Sequence, residues 1–143
     1  MDIDRFSTGK SVMAVSYQNI ATATDTVGEW INTQYYKSLV ASIHAAITTG
    51  AISAIAWDEA DEDDQSDAAA MNDSFNLYQP DIFPISGDAT EHDIRIGCIS
   101  KKKWVRLRIT TTGTVDIDVY AMAELNEATS RPPETNSSVV SAT

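Results

Sequence analysis

The chain has 143 residues and a mass of 15.5 kDa, with 43% hydrophobic and 22% charged residues, which suits one packed domain and excludes a wholly disordered protein. Twenty-one acidic residues against ten basic ones give a net charge of −11, a sign that repels phosphate backbones and anionic lipid headgroups, so neither nucleic acid nor a membrane is expected as a partner. A single cysteine, Cys98, excludes an internal disulfide, and no run approaches the roughly 18 apolar residues of a membrane span.

Residues 1–10 carry no apolar signal-like run and read as an N-terminal arm, so the chain is expected to be made and kept in the cytoplasm unless released by lysis. Residues 11–20 and 26–31 are short extended candidates. Over 36–48, Leu39, Ala41, Ile43, Ala45 and Ile47 share one parity, which predicts a strand, although Leu39, Ile43, Ala46 and Ile47 also fit one helical face. Gly50 and the β-rich neighbours favour the strand, and the apolar run 52–57 reads as its partner. Residues 92–99 add another extended segment.

The clearest alternation follows. Over 104–110, Val105, Leu107 and Ile109 take one face and Trp104, Arg106, Arg108 and Thr110 the other, as in a half-buried strand. Residues 111–114 read as a turn containing Gly113. Beyond it Val115, Ile117, Val119, Ala121 and Ala123 point inward, with Asp116, Asp118, Tyr120 and Met122 outward. The expectation is an antiparallel hairpin in which Arg106 and Arg108 face Asp116 and Asp118. Many short strands at this spacing predict an all-β fold, an antiparallel β-sandwich or jelly-roll-like barrel with extended terminal arms. The domain is placed at 11–125. Residues 126–143, polar and containing Pro132 and Pro133, read as a C-terminal arm that orders against a partner.

Charge is segregated. Asp58, Glu59, Asp61, Glu62, Asp63, Asp64, Asp67 and Asp73 place eight of the 21 acidic residues in one segment, and Arg95, Lys101, Lys102, Lys103, Arg106 and Arg108 hold six of the ten basic ones. Either the two regions pair between copies, or the acids form a solvated loop and the lysines guard a strand edge. Asp61, Asp63, Gln65 and Asp67 alternate as calcium ligands would, but Ser66 stands where an EF-hand loop needs glycine and Asn72 where it needs a bidentate glutamate. His44 and His92 sit in no base or metal motif, Cys98 lies in an apolar strand, and the six glycines form no phosphate loop. The chain is therefore read as a protein-binding module without catalytic activity or cofactor.

Several of these features carry a resemblance. A Thr/Asp/Thr segment at 24–26, the acidic loop after Ala56, Trp57 and Asp58, the stretch from Ile96 and Gly97 through Cys98, Ile99, Ser100, Lys101, Lys102, Lys103 and Trp104 to Val105, Arg106, Leu107 and Arg108, and a closing Arg131, Pro132, Pro133 follow one another. That order resembles small capsid-associated proteins of tailed phages, which often carry a Gly-Tyr-Ile-Gly-x-Lys-Arg-Tyr-Val-Arg-like strand before a Thr/Gly turn. This chain departs at Cys98, at Ser100 and at Trp104. The resemblance implies a capsid cement or decoration protein. It would be a homo-oligomer, dimer or trimer, assembled in the host cytoplasm on the outer surface of the virion and partnered by the major capsid protein. Contacts are expected from Lys101, Lys102, Lys103, Trp104, Arg106 and Arg108, from Asp61, Glu62, Asp63 and Asp64, and from Arg131, Pro132 and Pro133. A different class remains open: a carbohydrate-binding module of a tail or head fibre using Trp30, Tyr35, Tyr36 and Tyr78.

Overall fold

A computed structural model describes residues 10–71, 76–78, 83–86, 90–99 and 101–128. Among them are nine strands: β1 (Lys10–Ile20), β2 (Asp25–Val27), β3 (Ile31–Asn32), β4 (Tyr36–Ala60), β5 (Ala69–Ala70), β6 (Asn76–Tyr78), β7 (Ile85–Ser86), β8 (Thr90–Ile99) and β9 (Trp104–Ala128). β4 and β9, each of 25 residues, pair antiparallel along their whole length, from Tyr36 opposite Ala128 to Ala60 opposite Trp104. Straight strands of that length would span about 80 Å at ~3.3 Å per residue. A compact domain of this size has a radius of gyration of only about 14–15 Å. The pair must therefore bend, and it does so at Gly50 (φ +88°) and Gly113 (φ +86°), where the register shifts between Ile47 and Ala54.

The bend divides the sheet into two layers. In the first the order is β1, β9, β4, β8, β6, built on the C-terminal half of β9 and the N-terminal half of β4. In the second, β2 and β3 flank the N-terminal half of β9, and β5 and β7 flank the C-terminal half of β4. The same parity faces inward on both sides of the bend in β9: Val105, Leu107 and Ile109 in one layer, Ile117, Val119, Ala121, Ala123 and Leu125 in the other. With Leu39, Ile43, Ile47, Ile52 and Trp57 of β4 they join one continuous buried cluster. The architecture is all-β and antiparallel, of the sandwich and jelly-roll-like kind.

One edge is sewn shut at Gly28. Its N–H donates to the Leu107 carbonyl (2.8 Å), and the next N–H, of Glu29, donates to the Ala14 carbonyl (2.9 Å), linking β9 of the second layer to β1 of the first. A Cβ at position 28 would stand 2.1 Å from the Ala14 oxygen, so only glycine allows this approach. β1 meets it with a bulge: the register shifts between Met13 and Val15, and Ala14 and Val15 are both buried.

The expected hairpins are corrected by this topology. Residues 104–110 and 115–123 are not two strands around a turn but one strand, and 36–48 and 52–57 likewise belong to the single strand β4. The glycines permit a corner in each strand without reversing it, and the pairing runs between the two strands instead of within each. Arg106 and Arg108 consequently face Asp58 across β4, while Asp116 and Asp118 both accept from the side-chain amide of Asn19 on β1, at 2.8 and 2.9 Å. The candidate at 26–31 is two short strands separated by Gly28, Glu29 and Trp30. Residues 1–9 and 129–143, and with them Arg131, Pro132, Pro133 and most of both expected arms, lie outside the described residues.

Candidate interaction surfaces

The acidic and basic segments meet within one chain. The loop after β4 is closed by Asp67, whose carboxylate accepts from the backbone N–H groups of Asp61 (3.0 and 3.2 Å) and Glu62 (3.1 Å), and these bonds hold Asp67 below the usual carboxylate range. Ser66 does the same for Asp64 through side-chain and backbone hydrogen bonds, the backbone one at 3.0 Å. Asp61 accepts from the Lys103 N–H (3.2 Å), and Asp63 pairs with the Lys103 ammonium. Gln65 adopts positive φ (56°) and donates to the Asp63 carbonyl. These carboxylates thus serve the loop and Lys103, the residue before β9, and among the described residues no group of three or more His, Cys, Asp or Glu side chains converges on a metal-sized site.

Beside this loop, Asp58 is a buried carboxylate, 5% exposed, gripped by Arg106 Nε (3.1 Å) and Arg108 (3.5 Å). The Arg106 guanidinium lies 4.4 Å from the centre of the Trp30 ring, and Lys103 lies 5.9 Å from that of Trp104. Trp30 is therefore a cover for the ion cluster. Tyr36 is buried and Tyr35 packs against the core, so neither forms an exposed platform. Tyr78 lies in β6, whose side chains are outside the described set. Lys101, Lys102 and Lys103 line a cleft of about 370 Å³ together with Lys37, Thr33 and Gln34. It is braced by Thr33, whose N–H and hydroxyl donate to the Lys102 and Lys103 carbonyls at 2.8–3.2 Å.

A second surface covers the outer face of the first layer. Its side chains form cross-strand rows: Met13 on β1, Met122 on β9, Ser42 on β4 and Arg95 on β8, then Tyr120, His44 and Asp93 in the next. A third row joins Asn19, Asp118, Ala46 and Glu91. Tyr17 closes on Tyr120 with ring centres 6.4 Å apart, and Tyr120 stacks on His44 at 5.2 Å. His44 is fixed by Asp93 on Nδ1 (2.9 Å) and Glu91 on Nε2 (3.1 Å). Its pKa is raised above 6.5, first by the hydrogen bond to Asp93; burial opposes this, and the Asp93 charge and Glu91 add to it. Met13 (48% exposed), Tyr17 (69%), Tyr120 (41%) and Met122 (39%) are four of the five large hydrophobic side chains exposed among the described residues.

This face was only half visible in the sequence. Tyr120 and Met122 follow from the alternation in β9, but two register shifts in β1, between Met13 and Val15 and between Val15 and Gln18, interrupt its alternation and hide the common face of Met13 and Tyr17. The inner side offers little chemistry. Cys98 is fully buried, and burial, with a smaller contribution from the Glu59 charge, pushes its thiol up to about 12. Among the described residues, Trp57 Nε1 and Glu59 Oε1, and on the other face of β9 Trp104 Nε1, are buried without hydrogen-bond partners.

The fold so defined is a doubled antiparallel sheet closed by bends at Gly50 and Gly113. No protein-family model matches the sequence, and no curated protein matches it. Solved structures do share the fold. The SPBc2 prophage-derived protein YomS superposes with a TM-score of 0.51 at 11% identity, covering 83% of this chain and 93% of that one. A chain in the structure of infectious bursal disease virus, Gx strain, superposes with a TM-score of 0.51 at 9% identity, covering 87% of this chain but 33% of the viral one. The VP2 subviral particle of infectious bursal disease virus reaches a TM-score of 0.47 at 9% identity, over 85% of this chain and 32% of that one.

Proposed function

We propose that the chain is a virion structural protein that binds the outer face of a phage capsid and stabilises the lattice of the major capsid protein. The observation that carries this reading is the doubled sheet, which a prophage-derived protein shares over 93% of its length and a chain in a virus structure shares over 33%. An acidic body of net charge −11 suits an outer surface better than a DNA-facing one. Binding only the assembled lattice stabilises it by mass action, as a ligand stabilises a folded state, and many copies multiply a modest effect at each site.

The reading is tested on purified particles. Mass spectrometry should find the chain at a fixed stoichiometry to the major capsid protein, and particles made without it should lose resistance to heat or osmotic shock. Particles that never contain it and are equally robust without it would end the proposal.

A further inference from the structure

We propose that the outer face of β1, β9, β4 and β8 is a docking surface for a partner protein whose contact patch is apolar at its centre and lined with lysine or arginine at its rim. The inference rests on the virion reading for the identity of the particle, but the geometry is independent of it.

Four large apolar side chains gather at the β1–β9 end of the cross-strand rows of this face while the rest of the described surface exposes one other, Val27. Met13 and Met122 are direct cross-strand partners, and Tyr17 and Tyr120 stand beside them in ring contact. Surface hydrophobics scattered singly need no explanation, but a contiguous patch does. Methionine and tyrosine are also the residue types enriched at the centres of protein interfaces, the first because its thioether adapts to an irregular neighbour.

Next to the methionines the face dips into a hollow of about 350 Å³ bordered by Ser11, Val40, Ser42, Arg95, Met122 and Glu124. Small side chains on the middle strand leave it, with long ones standing around them. A ridge beside a hollow suits a protein side chain entering from outside better than a flat sugar ring. Methionines also give a glycan nothing to hydrogen-bond.

Charge selects among protein partners. Around the apolar side chains the face carries Glu124, Asp118 and Asp116 on β9 and Glu91 and Asp93 on β8, against Arg95 and a histidine already held between two carboxylates. A second copy meeting this face with its own would oppose carboxylate to carboxylate, in a chain whose net charge is −11. A basic rim complements it, and complementary charge of this kind steers docking and excludes wrong partners. The edge strand itself contributes no acidic residue between Lys10 and Ile20, so the carboxylates border the apolar side chains from β9, where Glu124 and Asp118 flank Met122 and Tyr120, and from β8.

The probe is the purified particle assembled without the chain, to which the chain is added back and bound copies are counted. The wild type should bind, with occupancy falling as salt rises. Replacing the apolar end (Met13→Ser, Tyr17→Ser, Met122→Ser together) should weaken binding about tenfold or more, since a few central residues carry most interface energy. The exposed positions leave the fold intact, which a melting curve checks. Reversing the rim (Glu91→Lys with Asp93→Lys) should weaken binding at low salt and matter less at high salt. Altering the lysine cleft (Lys101→Glu with Lys102→Glu) should change binding no more than about twofold, as peripheral charges do.

If the wild type binds and the apolar variant binds equally well, this face is not the dock, and the virion reading survives. If the wild type binds no particle, the virion reading fails and takes this assignment with it. A concentration-dependent dimer of the isolated chain, abolished by the apolar variant, would assign the face to a second copy and overturn the basic partner. Glycan binding lost on Tyr17→Ser would overturn it in favour of carbohydrate.

Discussion

Gly50 and Gly113 face each other across the bend of the two long strands, both at positive φ, with the Cα of Gly50 4.0 Å from where a Cβ on Gly113 would stand. The corner that turns one sheet into two layers thus depends on two residues, but not equally. A Cβ on Gly113 meets nothing nearer, whereas one on Gly50 would lie 2.6 Å from Val115 Cγ1 and 2.9 Å from the Thr114 oxygen.

The first expected outcome follows from that asymmetry. Gly113→Ala should cost about 1–2 kcal/mol, the price of a left-handed conformation for a residue with a Cβ. Gly50→Ala should cost about 1–3 kcal/mol more, because the backbone must also shift to relieve the clash. Urea midpoints of the two variants check this, and equal losses would mean that the corner relaxes freely around Gly50.

These glycines also explain what was legible in the sequence. The inward parity of Val105 to Ala123 marks the strands correctly on both sides of Gly113, and the all-β class follows from it. Whether a Thr/Gly stretch reverses a chain or bends it depends on which strand lies alongside, and β4 is more than 40 residues away from β9 in sequence, a pairing that local composition does not encode. The same holds for the surfaces. The clusters of Lys101 to Lys103 and Asp61 to Asp64 are plain as charge, but the contact between Asp63 and Lys103, 40 residues apart, depends on the β4–β9 register.

Asp58 supplies a second outcome. Its carboxylate is buried, while the side chains of Arg106 and Arg108 are 25% and 30% exposed, so the two kinds of deletion are not symmetrical. Replacing both arginines with leucine strands a buried charge and should cost about 3–5 kcal/mol. Adding Asp58→Leu to that variant should recover much of the loss, because the uncompensated charge is then gone. A thermodynamic cycle on these variants measures the coupling, and no recovery would mean that the cluster contributes mainly through packing against Trp30.

His44 makes stability depend on pH in a defined direction. Its folded pKa lies above 6.5, so the folded state binds the proton more tightly than the unfolded chain does. The stabilisation is fully present below about pH 6.5 and is lost as pH rises through the native value. In an NMR titration the His44 ring should show a midpoint above 6.5, and Asp93→Asn should bring it down, because the hydrogen bond to Asp93 is the largest cause of the rise. A midpoint indifferent to Asp93 would assign the effect to Glu91 instead.

Cys98 reports on the core from within. Lifting its thiol from 9.0 to about 12 leaves about a thousandfold less thiolate near pH 8 than an exposed cysteine would have. Full burial also denies a reagent any approach to the sulfur. A disulfide reagent should therefore label the folded chain at least about a thousandfold more slowly than the chain in strong guanidinium, through rare opening of the sandwich and not by direct attack. Under those conditions the labelling rate becomes a measure of opening. Gly50→Ala, which weakens the bend joining the layers, should accelerate it, whereas Tyr17→Ser on the outer face should leave it unchanged. Equal acceleration by both would show that the outer face also holds the layers together.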